Sequence, residues 1–261
     1  MSTLAWKRRF GQLQRALPRL PDRRVVLLYH SVGISPWAVT EAQFRAQVQW
    51  LERNARVEAL DALLEDAATE GLRVAITFDD GYASLADPVA RILQDAGMSA
   101  TVYLNTALID ETGGRASDPA LGHYPDEIFL SWNGASKLRG RGWTIGSHGM
   151  EHLDLTALPL DRVAAELAGS RQCLEKRFGT SCRHFAYTWG RNSKEVRDAV
   201  REAGYEFAAA AVHRPLSGSD DRFAFPRVNI HHDYSIEDFV AIVRGDWDFL
   251  GIWQAWRNRR S

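Results

Sequence analysis

Short apolar runs alternate with longer amphipathic stretches along most of this chain. The runs at 25–29, 73–78, 99–104, 143–145, 183–187, 207–212 and 225–230 are largely apolar and of strand length, which predicts buried β-strands. Between them apolar residues return every three or four positions, which predicts helices. Phe44, Val48 and Leu51 form one such stripe over 40–54, and Thr40 is placed to cap it. Further helices are expected over 1–20, ending at Pro21, and over 60–70, 131–141, 160–178 and 236–243. Another runs from a Ser193 cap to Ala203, and another carries Val89, Ile92 and Leu93, started or bent by Pro88 and stopped by Gly97. Residues 105–130 break the rhythm. Gly113, Gly114, Pro119, Gly122 and Pro125 predict an excursion rather than a core element, and such loops often carry specificity.

Strand and helix in regular alternation predict an α/β fold in which helices cover a mostly parallel sheet. No internal repeat stands out. Polar and charged residues follow the strands, at their C-terminal ends, which is the usual active face of such folds.

Composition changes this picture little. A chain of 261 residues makes one large α/β domain or two small ones. Its net charge of −1 gives no general case for nucleic-acid binding. Two cysteines, with Cys173 on a helical apolar pattern as a buried thiol, suit a reducing compartment. No apolar run reaches membrane-spanning length, and no signal-peptide pattern opens the chain, so a cytoplasmic location is expected. The N-terminus is skewed in charge: Lys7, Arg8, Arg9, Arg15, Arg19, Arg23 and Arg24 face one acid, Asp22. Leu4, Trp6, Phe10, Leu13 and Leu17 interleave with them, and Trp253, Trp256, Arg257, Arg259 and Arg260 echo the pattern at the other end. Two readings stand: a peripheral contact with an anionic inner membrane, or a basic-faced helix packed on the domain.

The candidate chemistry begins at Asp79 and Asp80, side by side at the end of strand 73–78 and followed by Gly81. Adjacent carboxylates are costly unless a cation or a proton separates their roles; the alternative is a capping pair before a helix over 82–96. His148 and His152 stand four apart, so on one helical turn they face the same side and can share a metal. Two imidazoles and one carboxylate leave open positions on a divalent ion, and the second carboxylate is then available as a base.

The segments Thr77-Phe78-Asp79-Asp80-Gly81 and Ser147-His148-Gly149-Met150-Glu151-His152 closely resemble motifs of the polysaccharide deacetylase (NodB-homology) family of carbohydrate esterases. Weaker matches extend along the chain: Leu28-Tyr29-His30-Ser31-Val32, Ala100-Thr101-Val102-Tyr103-Leu104, Phe185-Ala186-Tyr187-Thr188-Trp189-Gly190 and Phe225-Pro226-Arg227-Val228. The last resembles the branch that acts on exopolysaccharide amino sugars. The resemblance implies a distorted (β/α) barrel of about seven parallel strands over 25–250, between a basic helical extension at 1–24 and a basic tail at 251–261. It implies hydrolysis of an N-acetyl group from an amino sugar. Asp79 is then the general base, and Asp80, His148 and His152 hold Zn2+ or another divalent transition ion such as Co2+, Ni2+ or Mn2+. The backbone N–H of Trp189 then serves the oxyanion.

Three departures from the family pattern carry expectations of their own. Ala186 stands where an Arg often orients the catalytic Asp, and Arg227, ahead of Arg191, is expected to replace that charge. Thr188 stands where a proline is usual, beside the large ring of Trp189. Ile230-His231-His232-Asp233 resembles the motif that supplies the general acid, which places His232 in that role, with His231 and then His30 as alternatives. The expected substrate is an N-acetylated amino sugar in a glycan or a lipid-linked precursor of surface polysaccharide or lipopolysaccharide. Removal of a formyl group, or glycan binding without catalysis, are the other readings.

Overall fold

The structure is a computed structural model and describes residues 3–14, 22–33, 35–65 and 70–258. Among the described residues there are eight strands: β1 (Arg23–Tyr29), β2 (Arg56–Val57), β3 (Leu72–Phe78), β4 (Thr101–Leu104), β5 (Thr144–Ser147), β6 (His184–Ala186), β7 (Phe207–Ala209) and β8 (Val228–Asn229). Seven of them form one parallel sheet in the order β7-β6-β5-β4-β3-β1-β8, and β2 pairs with the start of β3. The sheet curls. Phe225 bridges Ala209 of β7, and three residues later β8 pairs with β1, so the two edges approach each other through one short segment. The result is the distorted (β/α) barrel expected from the sequence.

The helices are α1 (Thr3–Gln14), α2 (Glu41–Asn54), α3 (Leu60–Glu65), α4 (Val89–Asp95), α5 (Trp132–Gly140), α6 (Leu160–Phe178), α7 (Lys194–Glu202), α8 (Ile236–Arg244) and α9 (Phe249–Asn258). Local sequence fixes several starts. Thr40 makes a full capping box with Gln43, and Ser131, Ser193 and Ser235 each accept an N–H from the first turn of the helix they precede. Side chains alternate across the strands. Val25, Leu27, Tyr29, Val74, Ile76, Phe78, Val102 and Leu104 pack outward under the helices. Val26, Ala75, Tyr103, Ala186, Phe207, Ala209 and Phe225 fill the barrel interior. Burying each large apolar side chain stabilises by roughly 1.5–3 kcal/mol, so the helix-covered face holds the fold together and the interior is free to carry polar groups.

Several boundaries differ from the sequence reading. Arg23 and Arg24 begin β1 instead of ending an extension: Arg23 is buried and pairs with Asp248 at 2.7 Å through both terminal nitrogens. The C-terminal stretch is helical from Phe249 rather than a tail from 251. Within the basic N-terminus, Lys7 donates to the Tyr234 hydroxyl at 2.9 Å and Arg8 pairs with Asp238 at 2.6 Å, while Trp6 packs on Phe249. These two charges are spent on the domain, as in the packed-helix reading. The parts of the expected helices at 15–20 and 66–69, Pro21 and residues 259–261 lie outside the described residues. Among the described residues, no helix is long and apolar enough to cross a membrane.

Candidate active site

The site sits at the C-terminal end of the barrel, where β3 runs out into Asp79-Asp80-Gly81. Asp80 has φ 68° and Gly81 φ 76°, so the chain turns sharply at once. That turn lets two adjacent carboxylates share one cleft although neighbouring strand positions face opposite ways. Both are buried, and neither caps a helix: the next described turn begins at Ala83 with Tyr82 ahead of it.

His148 and His152 follow β5, but no helical turn carries them. Gly149 has φ 84° and His152 φ 59°, and the segment is a looped excursion. The structure brings the two imidazoles together, but not on the helical turn that the spacing suggested. What holds this loop is Glu166 of α6, a buried carboxylate that accepts the Met150 N–H at 2.8 Å and the Glu151 N–H at 3.3 Å. Ser147 Oγ accepts the Gly149 N–H at 3.1 Å and is itself tied to Ser170 of α6.

Each imidazole is oriented by a backbone carbonyl. His148 Nδ1 lies 2.8 Å from Ala186 O and His152 Nδ1 lies 2.6 Å from Leu121 O. A carbonyl can only accept, so both rings carry a proton on Nδ1 and turn a bare Nε2 inward. Those atoms meet Asp80 Oδ1 at 3.6 Å and 3.3 Å respectively. Asp80 Oδ1 is buried without a hydrogen-bond partner among the described residues, and one ligand atom from each of Asp80, His148 and His152 lies within 4.8 Å of the others. Two lone pairs and a carboxylate oxygen that nothing donates to fit a divalent transition ion.

Burial alone would raise the pKa of Asp79, but the Arg227 guanidinium more than offsets it and, with His148, holds the carboxyl below its ordinary range. Arg227 donates to both Asp79 oxygens, at 2.6 and 2.7 Å, and to Ala210 O at 3.0 Å. Arg191 pairs with Asp154 on the surface instead. Burial also pushes His148 down to about 4, against the pull of Asp79. His152 goes the other way: its contact with Asp80 outweighs burial and raises it.

The cleft above these groups has a volume of about 330 Å³. His30, Tyr124, Trp189, Gly190, Ala211 and His231 line it together with the four residues just described. Trp189 is half exposed, at φ 55°, with its ring 5.0 Å from that of His152. His232 does not line the cleft. It faces a neighbouring groove and packs edge-on against Trp37, because the chain turns here: the Tyr234 N–H donates to His231 O at 3.1 Å. Both alternatives, His231 and His30, line the cleft; His231 Nδ1 lies 3.0 Å from Asp233 Oδ1, and His30 Nδ1 is buried without a hydrogen-bond partner among the described residues.

Sequence reasoning missed three contributors. Glu166 had a signal, a carboxylate within the apolar stripe of α6. Tyr82 accepts the Tyr124 N–H at 2.8 Å, and burial followed by the charge of Asp80 raises its pKa. His123 packs 4.4 Å from the His152 ring with its Nε2 buried and unpartnered among the described residues. It lies in the irregular 105–130 segment, where no periodicity pointed to it.

A Bacillus subtilis protein named "Putative polysaccharide deacetylase YxkH" is 25% identical over 229 residues, covering 85% of this chain and 77% of its own. The poly-beta-1,6-N-acetyl-D-glucosamine N-deacetylase of Staphylococcus epidermidis is 21% identical over 230 residues, covering 86% and 77%. The solved structure of the Streptococcus pyogenes deacetylase PplD in complex with acetate shares the fold, with a TM-score of 0.72 at 18% identity over 86% of this chain and 99% of that one. The family model described as polysaccharide deacetylase matches residues 66–208, more than half of the sequence and the stretch that carries Asp79, Asp80, His148 and His152, and the chain belongs to that family.

Proposed function

We propose that this protein hydrolyses the N-acetyl group of an amino sugar within a glycan, using a divalent transition ion, with zinc the first candidate. The observation that supports it most is the convergence of Asp80, His148 and His152 on one point, beside a second carboxylate that is held ionised by a buried arginine. When bound, the ion supplies Lewis-acid polarisation of the acyl carbonyl and acidifies water.

The chain's own residues do the rest. Asp79 takes a proton from the attacking water; Arg227 keeps it anionic and aimed. The Trp189 N–H donates to the oxyanion as the carbonyl carbon becomes tetrahedral. His231, backed by Asp233, delivers a proton to the amide nitrogen as the C–N bond breaks. Amide and water give a free amine and acetate. The name of the Staphylococcus epidermidis relative supports a polymeric N-acetylglucosamine substrate.

The test is acetate release from N-acetylglucosamine oligomers, with chelator and metal add-back. Acetate release that survives both full chelation and Asp79→Asn would sink the proposal.

A further inference from the structure

Beside the reaction cleft lies a second groove, and three loops contribute to both. The cleft takes His30 from the loop after β1, Asp79 and Asp80 from the end of β3, and His231 from the loop after β8. The groove takes Ser35, Pro36 and Thr40 from the loop after β1, Pro88 from the loop after β3, and His232 from the loop after β8. Two consecutive histidines thus face two separate hollows, with ring centroids 4.8 Å apart. The groove has a volume of about 610 Å³, within the range of small-ligand sites.

Trp37 stands at this groove between two of its lining residues, Pro36 and Ala38, and is 50% exposed. Its ring meets His232 edge-to-face at 5.8 Å. The loop that carries it is braced. Val32 bridges Val39 at its base, Ala38 N–H donates to Ser35 O at 3.0 Å, and Ser35 Oγ donates to Pro125 O at 3.0 Å. The His232 carbonyl is braced too, accepting Gln43 Nε2 at 2.9 Å. A half-exposed aromatic ring on a braced loop beside an open groove is a preorganised contact, with little ordering left to oppose binding.

We propose that the Trp37–His232 groove is a sugar subsite that holds a neighbouring residue of the glycan while the reacting residue occupies the cleft. This rests on the amino-sugar reading above. The C–H face of a pyranose is apolar and weakly positive at its edge, which complements the negative face of an indole. The imidazole of His232 offers hydrogen-bonding nitrogens to sugar hydroxyls. Because His231 and His232 share a peptide bond, a sugar seated in the groove sets the position of its neighbour against the cleft.

The experiment compares the N-acetylglucosamine monosaccharide with its β-1,6- and β-1,4-linked pentasaccharides. Trp37→Ala is expected to lower kcat/KM on a pentasaccharide about tenfold, mostly through KM, and to lower the monosaccharide value far less. His232→Ala shifts the same ratio in the same direction, and Trp37→Phe, which keeps a ring, restores part of it. Calorimetric titration of a pentasaccharide into His231→Ala, with and without Trp37→Ala, gives a readout free of turnover; about tenfold weaker binding is expected. An unchanged ratio of pentasaccharide to monosaccharide activity, or equal affinities in the titration, overturns the subsite and leaves the deacetylase reading standing. Wild-type protein that releases acetate from none of these sugars overturns both.

Discussion

Arg227 clamps Asp79 with two parallel hydrogen bonds of 2.6 and 2.7 Å, although 148 residues separate them. Both are buried, the guanidinium completely. It lies over the Tyr103 ring at 5.2 Å, inside the barrel where Ala186 contributes only a methyl group. An arginine entering from the segment before β8 thus reaches this carboxylate across the barrel interior. One bidentate pair of bonds fixes the carboxylate plane as well as its charge.

Removing that clamp strands a buried carboxylate. Arg227→Met is expected to cost about 3–5 kcal/mol of unfolding free energy by urea titration at neutral pH. It also frees burial to raise the pKa of Asp79, which Arg227 now holds below the ordinary value. The sign follows from linkage: a depressed carboxylate contributes stability above its unfolded pKa and loses it as pH falls through the folded one. In the variant the acid limb of the pH–rate profile moves to higher pH. Arg227→Lys keeps a charge without the fork and should fall between the two. A profile and stability equal to wild type would remove Arg227 from the positioning role.

Metal content can be read without activity. Asp80→Asn, His148→Ala and His152→Ala are each expected to reduce bound zinc, measured by plasma mass spectrometry after dialysis against a fixed free concentration. Zinc at about 100 times its dissociation constant should add about 2.7 kcal/mol to the stability of wild-type protein and raise Tm accordingly. The gain should vanish in the three variants. Equal zinc content in wild type and His152→Ala would break the triad.

His231 and His232 separate cleanly by rate. His231→Ala is expected to lower kcat about 10²–10⁴-fold on any competent sugar, the ordinary worth of a positioned general acid. His232→Ala should cost far less on a monosaccharide. Asp233→Asn should lower the pKa of His231 further, since Asp233 opposes the downward push of burial, and so shift the basic limb of the profile to lower pH. Equal losses for the two histidines would reopen the assignment.

How much of this was legible in advance depends on where each residue sits. Asp79 and Asp80 end a strongly apolar run, so β3 announced them, and the caps at Thr40 and Ser193 marked helix starts to the residue. The partners His148 and His152 were found through motif and spacing, yet their conformation was misread: the positive φ of Gly149 and His152 depends on Glu166, sixteen residues away from Met150, and no local pattern encodes that tie. The choice between His231 and His232 turned on strand register, which a two-residue strand such as β8 leaves unspecified in sequence. His123 and Tyr124 come from the irregular 105–130 stretch, where tertiary contacts with Tyr82 and His152 set position and periodicity carries nothing.

His213 is expected to give the fold a pH dependence separate from the site. It is buried, its Nε2 has no hydrogen-bond partner among the described residues, and its backbone N–H donates to Gln254 of α9 at 2.9 Å. Burial, with Lys7 and Arg23 nearby, pushes its pKa down to about 3 from 6.5. The unfolded chain therefore takes up a proton as pH falls below 6.5 while the folded chain refuses it until near pH 3. Stability is unaffected above that window and declines within it, at about 1.4 kcal/mol per pH unit for one proton. His213→Leu removes the group, so the unfolding free energy of wild type minus that of the variant should fall between pH 7 and pH 4, whatever the carboxylates common to both contribute. Urea titrations at four pH values decide it: two stability curves that stay parallel across the window would show that His213 titrates alike in both states.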